Sequence, residues 1–306
     1  MGLKLNIAGT SLLLLLASAA EVSGDIIFDV TKYGARADGH SDISQALLKA
    51  WGDSCSSPVA STVMIPNGTY AFKAEAGWIA FQQIDQFTLS GGGVFDGQGK
   101  TVWGRKCPHY AYCKQLPINL RFNFITNSMV KDITSRDSKQ WNSHWTFLGI
   151  NITDSTIETG DDCVSIGDGS EQINIQRVTC GPGHGISVGS LGKYPNEEPV
   201  VGISVKNCTL TNTQNGVRVK TFPASHQGIA SEMHFEDIVM NNVGNPIIID
   251  QEYCPHNQCN LKSPSRIKLS NVSFRNIRGT TSTQVAVKLL CSQGVPCQDV
   301  NLVTST

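Results

Sequence analysis

The side chains that could do chemistry fall in three short clusters. Asp161 and Asp162 are adjacent carboxylates, His184 stands between two glycines, and Arg218 and Lys220 flank a single valine. Two carboxylates this close disfavour each other's charge, so one can keep a proton for donation. A histidine beside them fits acid/base catalysis, and the two cations suit an anionic substrate, arginine offering a fork for a carboxylate.

A repeated strand-and-turn pattern separates these clusters. The repeat aligns one apolar residue in each copy, and the intervals of about 23 to 34 residues lie in the range of solenoid proteins. The aligned positions are Ile152, Ile175, Val205, Phe235 and Leu269. A second apolar strand follows in most copies: Val164–Ile166, Ile186–Val188, Val217–Val219 and Ile247–Ile249. A β-sandwich, the alternative for many short strands, predicts no such period, so the pattern favours a parallel β-helix.

In a parallel β-helix, equivalent positions of neighbouring coils lie about 4.8 Å apart. Asp162 and His184 each stand two residues before the second strand of their copy, so we expect them in one column. Arg218 and Lys220 alternate with core valines and should point out beside that column, one coil further on. The sequence therefore predicts one outer face carrying acids, a histidine and two cations.

Each cluster also has an interpretation that involves no catalysis. An Asp-Asp pair often lies in a solvated turn, and Asp161, Asp162 and Asp168 could instead bind calcium. A histidine between glycines is often a turn residue, and two cations on one strand often form a solvated face. Their alignment on consecutive coils is what favours a common site.

One helix precedes the strands. Ile43, Ala46, Leu47 and Ala50-Trp51 fall at helical spacing, and Ser41 or Asp42 is the predicted N-cap. We expect this helix to cover one end of the solenoid. Predicted strands follow at Thr62–Ile65, Thr69–Phe72, Phe87–Leu89, Leu120–Phe124 and Val130–Ile133.

Composition points to a secreted protein. Residues 1–24 read as a signal peptide, with a positive start, an apolar block at Leu12–Leu16 and small residues after it; the alternative is a buried helix. Residues 25–306 then form one domain. The formal net charge of −1 over 306 residues gives no electrostatic footprint for nucleic acid, and no second apolar run is long enough for a membrane span.

The ten cysteines fit an oxidising compartment. No CxxC pair occurs, so a zinc site is disfavoured, and the spacings of Cys107/Cys113 and Cys291/Cys297 suit small disulfide loops. Glycosylation sequons at Asn67, Asn151, Asn207 and Asn271 also fit secretion.

Several long segments resemble the polygalacturonases of glycoside hydrolase family 28, in particular plant exopolygalacturonases of pollen. They are FDVTKYGA (28–35), LSGGGVFDGQG (89–99), LRFNFITNSMVKDITSRDSKQ (120–140), GDDCVSIGDGS (160–170), CGPGHGISVGSLG (180–192), GVRVKTF (216–222) and DQEYCPH (250–256). The resemblance implies a right-handed parallel β-helix of the pectin-lyase type. It also implies inverting hydrolysis of α-1,4-linked galacturonate without metal or organic cofactor.

The resemblance also assigns roles. Asp161 and Asp162 would be catalytic carboxylates, the first as general acid, and His184 would organise the site. Arg218 and Lys220 would hold a galacturonate carboxylate.

Two further assignments come from the same resemblance. Tyr253 is a weaker candidate contact to the substrate. Cys163 and Cys180 would form a disulfide that clamps the two catalytic coils, which their nearness in the aligned coils permits.

The chain departs from the family pattern before the Asp-Asp pair. An Asn-Thr-Asp-Gly motif, whose carboxylate helps to position water, is not found, and a coil is missing around residues 141–150. Asn151–Asp154 is only an echo that starts the Asp-Asp coil; Asp137 or Asp154 could substitute but neither lies in the right column. Residues 72–78 and the C-terminus also look short, and Cys55 is expected to be unpaired.

We therefore expect an exo-acting polygalacturonase of impaired activity, monomeric, acting on pectin outside the cell or in the cell wall. The alternative is a non-catalytic pectin-binding wall protein or pollen-allergen-like pseudoenzyme. A pectin lyase ranks below both because it does not need this column. The third alternative is an incorrect gene model around the gaps.

Overall fold

The computed structural model describes residues 26–72, 79–99, 119–138 and 147–303. The chain divides into two compact units, Met1–Phe72 and Lys73–Thr306. Within the described residues, no helix has the length and apolar character to cross a membrane. The predicted signal peptide and the Cys107/Cys113 pair lie outside these residues.

The first unit holds the predicted helix. Its elements are β1 (Ile26–Asp29), a 3-10 turn (Val30–Tyr33), β2 (Asp38–Asp42), α1 (Ser44–Cys55), β3 (Ser61–Met64) and β4 (Thr69–Ala71). β1 pairs with β3 and β2 with β4, both in parallel. Ile43, Ala46 and Ala50 are buried on one side of α1, as their spacing predicts. That α1 covers the end of the solenoid stays a prediction.

The predicted N-cap was wrong by one residue. Ile43 is the N-cap, and it makes no side-chain capping hydrogen bond. Asp42 still serves the helix start, because its Oδ1 accepts from the Ser44 backbone N–H at 3.0 Å. Ser41 is engaged elsewhere, since its hydroxyl donates to Asp38 at 2.6 Å.

The second unit is built almost entirely of strands. They are β5 (Ile79–Gln82), β6 (Thr88–Leu89), β7 (Val94–Asp96), β8 (Leu120–Asn123), β9 (Ile125–Lys131), β10 (Thr134–Ser138), β11 (Phe147–Thr153), β12 (Thr156–Thr159), β13 (Asp162–Ile166), β14 (Glu171–Gln176), β15 (Thr179–Cys180), β16 (Gly185–Leu191), β17 (Val200–Lys206), β18 (Thr209–Thr211), β19 (Asn215–Thr221), β20 (Gly228–Val243), β21 (Asn245–Asp250), β22 (Ile267–Thr281), β23 (Val287–Leu290) and β24 (Gln298–Val303). A 3-10 turn at Pro255–Asn257 lies between β21 and β22.

These strands wind into a solenoid, which confirms the predicted parallel β-helix. Thirteen strands form one sheet whose two halves join at β20, in the order β6-β9-β11-β14-β17-β20-β18-β15-β12-β10-β7. In the same sheet β22 pairs with β20, and β24 pairs with β22. A third face, the five-stranded sheet β13-β16-β19-β21-β23, carries the predicted site. β5 and β8 form a separate pair.

The predicted register holds for most coils. Ile152 pairs with Ile175, Ile175 with Val205, and Val205 with Phe235. The last aligned position was wrong: Phe235 pairs with Phe274, whereas Leu269 pairs with Ala230. The reason is the long segment between β21 and β22, which shifts the apparent repeat. The second strands pair as predicted, Val164 over Ile186, Val217 and Ile247.

In each coil, a single residue in the left-handed conformation turns the chain from one half of the thirteen-stranded sheet to the other. Asparagine and aspartate tolerate this conformation better than other residues with a side chain, and they supply most of the turns. The turn residues are Asp132 (φ 51°), Asp154 (φ 50°), Arg177 (φ 53°), Asn207 (φ 53°), Asp237 (φ 53°) and Asn276 (φ 49°). This one-residue turn keeps successive coils in register.

Stacked apolar side chains fill the solenoid interior, with Phe235 and Phe274 stacked at 5.1 Å between ring centroids. The packing is looser at one junction. A cavity of about 40 Å³ lies where the β8–β10 coil meets the β11–β13 coil, lined largely by apolar residues such as Leu120, Val130 and Ile152.

Three disulfides lie among the described residues. They are Cys163–Cys180 (Cα–Cα 5.9 Å), Cys254–Cys259 (5.6 Å) and Cys291–Cys297 (5.6 Å). The first and third confirm predictions, while the second was missed. Cys55 has a free, exposed thiol, as predicted. Cys208 has a free thiol inside the solenoid, and burial raises its pKa to about 11.

Candidate active site

The third face brings the predicted clusters together. Asp161 precedes β13, His184 precedes β16, and Arg218 and Lys220 lie on β19. Val219, between the two cations, is fully buried in the core, so both cations lie on the opposite side of the strand. The alternation of side chains along β19 therefore sets the site.

Asp162 is the centre of a buried charge cluster. Its Oδ1 accepts from the Ser187 hydroxyl at 2.9 Å and from Arg218 Nη2 at 2.9 Å. Its Oδ2 accepts from Lys220 Nζ at 2.7 Å. The side chains of Asp162, Arg218 and Lys220 are 4%, 12% and 8% exposed. Arg218 Nε also donates to Ser187 at 3.2 Å, so the hydroxyl ties acid and cation together.

Asp161 faces the histidine instead. Its Oδ1 lies 3.1 Å from His184 Nδ1 and accepts from the Asp162 backbone N–H at 2.6 Å. Its Oδ2 is buried and has no hydrogen-bond partner among the described residues. A buried carboxyl oxygen without a partner is costly, so this atom is suited to meet a group of a bound ligand.

The predicted column of Asp162 and His184 was wrong by one residue. Asp162 pairs with Gly185, and the register shifts between Asp162 and Val164. The His184 backbone N–H donates to the Asp161 carbonyl at 2.6 Å, which places the histidine beside the first carboxylate. The bulge thus divides the pair: Asp161 meets the histidine, and Asp162 meets the cations.

Tyr253 packs against both cations. The Lys220 ammonium lies 5.3 Å and the Arg218 guanidinium 5.7 Å from the centre of its ring, within reach of a cation–π contact. Phe222 meets the same ring edge-on at 5.7 Å. Burial lowers the pKa of Lys220, with Arg218 adding to the effect against the attraction of Asp162, and burial raises the pKa of Tyr253.

The cluster has donor atoms that could hold a metal ion. One atom each of Asp161, Asp162 and His184 lie within 4.8 Å of one another, and Asp168 is not in this group. The two formal negative charges are offset by Arg218 and Lys220, which already engage both oxygens of Asp162. A divalent cation therefore gains little attraction here, and the site is better matched to an acid group with a neighbouring anion-binding patch.

The predicted lack of a third carboxylate stays a prediction, because it concerns residues 141–150, most of which lie outside the described residues. β9 pairs directly with β11 and β10 with β12, so the coil before the Asp-Asp coil connects to it through residues 139–146. That segment, KQWNSHWT, contains no aspartate or glutamate. Asp154 lies on the outer turn after β11, where both its oxygens bond Arg177, and so cannot substitute. Asp137 lies at the register shift of β10, between Arg136 and the Ser138 that pairs with Thr159.

The family model described as glycosyl hydrolases family 28 matches residues 54–147 and 145–304. A polygalacturonase of Gossypium hirsutum is 44% identical to the chain over 95% of it and 86% of the relative. An exopolygalacturonase of Oenothera organensis is 47% identical over 85% of the chain and 88% of the relative. Sequence similarity thus extends over most of the chain.

The alignments also measure what the chain lacks. The match to the Gossypium hirsutum protein has 350 aligned positions, while 95% of 306 residues is about 291. About 59 aligned positions therefore have no residue in this chain. The two matches of the family model meet at residues 145–147, next to the predicted missing coil.

Solved structures of the same fold include endo-xylogalacturonan hydrolase from Aspergillus tubingensis, with a TM-score of 0.68, 19% identity and coverage of 91% of this chain and 93% of that one. An exopolygalacturonase from Thermotoga maritima has a TM-score of 0.63, 16% identity and coverage of 91% and 86%. The parallel solenoid, the match of the family model over most of the sequence and the relatives above 40% identity agree. The chain belongs to glycosyl hydrolases family 28.

Proposed function

We propose that the chain binds polygalacturonate and hydrolyses its α-1,4-galacturonosyl linkages. The observation that carries this function is that the two adjacent carboxylates have different surroundings. Asp161 presents a buried oxygen without a partner, and Asp162 lies against two cations. One group can thus donate a proton to a leaving oxygen while other groups, a few ångströms away, recognise an anionic sugar.

Asp161 is the general acid in this proposal. Its Oδ2 donates a proton to the glycosidic oxygen, which leaves with the bonding electron pair, while His184 fixes the carboxyl group through Oδ1. Arg218 and Lys220 bind the carboxylate of a galacturonate unit, which then shares the cations with Asp162. Tyr253 covers both cations and gives the sugar a flat surface to pack on.

Water activation is the weak step. One oxygen of Asp161 and one oxygen of Asp162 lie within 4.8 Å of each other, whereas an inverting enzyme usually holds its two carboxyl groups ~6.5–9.5 Å apart so that water fits between them. No carboxylate is present in residues 139–146 to provide a more distant base. General-base assistance is typically worth ~10²–10⁴-fold in rate, so turnover should fall by about that factor relative to an intact relative.

Release of reducing ends from polygalacturonic acid tests the function. We expect slow release by the purified chain, and none above background for Asp161→Asn. Arg218→Ala should weaken binding, whereas Arg275→Ala, an exposed arginine on β22, is the matched control and should not. Activity equal to that of an intact relative would refute the impairment, and absence of both binding and release would refute the function.

The absence of aspartate and glutamate from residues 139–146 favours a second function, binding of pectin without turnover. Binding that needs Arg218 but no reducing-end release, in the wild-type chain, would establish it and exclude the enzyme.

The finer parts of the proposal are exo action, a secreted location at the cell wall and a monomeric state. Exo action predicts only monogalacturonate among early products. Secretion agrees with the exposed sequon residues Asn67, Asn207 and Asn271, whose glycosylation would be seen as a mass loss on deglycosylation. The mass in solution tests the monomer.

A further inference from the structure

An open, uncharged cleft lies along the third face beyond the catalytic groups. It has a volume of about 440 Å³ and lies at the N-terminal ends of β19 and β21. Its lining includes Asn212, Thr213, Gln214, Asn242, Asn245 and Ser282. None of the residues that line it carries a charge, in contrast to the patch around Arg218 and Lys220.

The cleft continues the line of the catalytic groups. The Gln214 backbone N–H donates to the Gly183 carbonyl at 2.8 Å, and Asn215 Nδ2 donates to the His184 carbonyl at 3.3 Å. Gln214 thus lies one coil beyond His184, and Asn245 lies one coil further, since its backbone N–H donates to the Gln214 carbonyl at 3.1 Å. With coils about 4.8 Å apart, a chain-like ligand bound at His184 extends directly into the cleft.

Side-chain hydrogen bonds hold the cleft in shape. Asn242 Nδ2 donates to Asn212 Oδ1 at 2.8 Å, and Asn245 Nδ2 donates to the Gln214 carbonyl at 3.1 Å. These bonds fix the amides before a ligand arrives, which lowers the entropic cost of binding.

The same cleft keeps unused hydrogen-bonding capacity. The Oγ1 of Thr213, a residue 3% exposed, is buried without a partner among the described residues. Gln214 is exposed, and no described hydrogen bond involves its side-chain amide. Amides and hydroxyls offer both donors and acceptors, which suits the hydroxyl groups of a sugar.

We propose that this cleft is a second carbohydrate subsite that takes an uncharged sugar unit of the same polysaccharide, either a methyl-esterified galacturonate or a neutral sugar. The proposal rests on the proposed function. An ionised galacturonate gains most beside Arg218 and Lys220, whereas a cleft of neutral amides offers it no opposite charge. The two subsites therefore favour different units of one chain.

Titration of the purified chain with oligogalacturonates of equal length tests the subsite. One ligand is fully de-esterified, one is methyl-esterified and one carries neutral sugar branches. Gln214→Ala should weaken binding of at least one uncharged ligand about two- to tenfold, as expected for one hydrogen bond, and leave the de-esterified ligand unchanged. Gln298→Ala, an exposed glutamine on β24 outside the cleft, is the matched control.

The three ligands distinguish the possible results. Loss confined to the methyl-esterified ligand assigns the subsite to the polysaccharide backbone, and loss confined to the branched ligand assigns it to side chains. Gln214→Lys should move the preference towards the de-esterified ligand. Equal affinities of Gln214→Ala and Gln298→Ala for all ligands, or equal weakening of all three by Gln214→Ala, would overturn the subsite.

Failure of the subsite can be told from failure of the proposed function. If Arg218→Ala abolishes binding of the de-esterified ligand while Gln214→Ala changes nothing, the function stands and the subsite fails. If the wild-type chain binds none of the ligands, both fail.

Discussion

Replacing Asp162 by asparagine tests whether the buried charge cluster holds the site together. The substitution keeps the shape of the side chain but removes the negative charge that Arg218 and Lys220 share at 2.9 and 2.7 Å. The Asp162 side chain is 4% exposed, so water cannot replace its charge without local opening. Removing one partner of a buried ion pair typically costs ~3–5 kcal/mol, because an uncompensated charge stays buried.

The effect should depend on pH with a definite sign. Burial already lowers the pKa of Lys220 below its ordinary 10.5, and loss of Asp162 removes an attraction that opposes this shift. Between its lowered pKa and 10.5, the unfolded chain holds a proton on Lys220 that the folded chain has lost, so folded stability rises with pH in this window. The penalty of Asp162→Asn should therefore shrink as pH rises.

Denaturant unfolding of wild type and variant at neutral and alkaline pH measures both quantities. Two variants serve as controls. Asp162→Asn combined with Lys220→Met should recover part of the loss, because one buried charge is removed. Asp154→Asn breaks a half-exposed ion pair with Arg177 and should change stability little. A loss below about 1 kcal/mol at neutral pH, or a penalty that grows with pH, would refute the reasoning.

The lowered pKa makes Lys220 lose its charge at a lower pH than a free lysine, so the affinity for oligogalacturonate should fall as the pH becomes alkaline. Lys220→Arg should keep its affinity at alkaline pH, because arginine stays charged. The same dependence of affinity on pH in wild type and Lys220→Arg would contradict this prediction. Replacing Cys254 and Cys259 by serine should free the turn after Tyr253 and weaken oligogalacturonate binding about two- to tenfold with little change in the far-UV circular dichroism; unchanged affinity would show that Tyr253 is held without the disulfide. Proton NMR of the first product should show the β-anomer, as inversion of an α-linkage requires, whereas the α-anomer would show retention.

The coil register was predictable because the core demands it. Apolar residues alternate in each strand, and a shift by one residue would expose them, so Val164, Ile186 and Val217 could be aligned by sequence alone. The same alternation placed Arg218 and Lys220 on the outer side of β19. Both inferences follow from side-chain period.

The local exceptions to the period could not be predicted in this way. The bulge after Asp162 depends on the close approach of the Asp161 carbonyl and the His184 backbone N–H, which no spacing rule contains. Leu269 was misaligned because the long segment after β21 lengthens that coil, and the assumed repeat length did not allow for it. By contrast, the Cys254–Cys259 pair has the short spacing that identified Cys291–Cys297, and the same rule would have found it.

The uncharged cleft was missed for a different reason. Asn212 and Ser282 are common turn residues, and the polar sequence around Gln214 is that of any solenoid turn. Only the stacking of three successive turns brings their amides and hydroxyls into one surface. A site built from neutral side chains lacks the charge signal that made Asp161 and Arg218 conspicuous.

The pairing of β9 with β11 repeats the pairing of β11 with β14, residue for residue at Val130, Ile152 and Ile175. Each coil thus presents the same ladder to whichever coil comes next, and length can change in whole turns without disturbing the pairing on either side. A family built in this way can lose or gain whole coils, and the 40 Å³ cavity lies at one such junction, where the β8–β10 coil meets the β11–β13 coil. The same property makes the junction a grafting point, where a coil borrowed from a longer relative would find matching partners above and below.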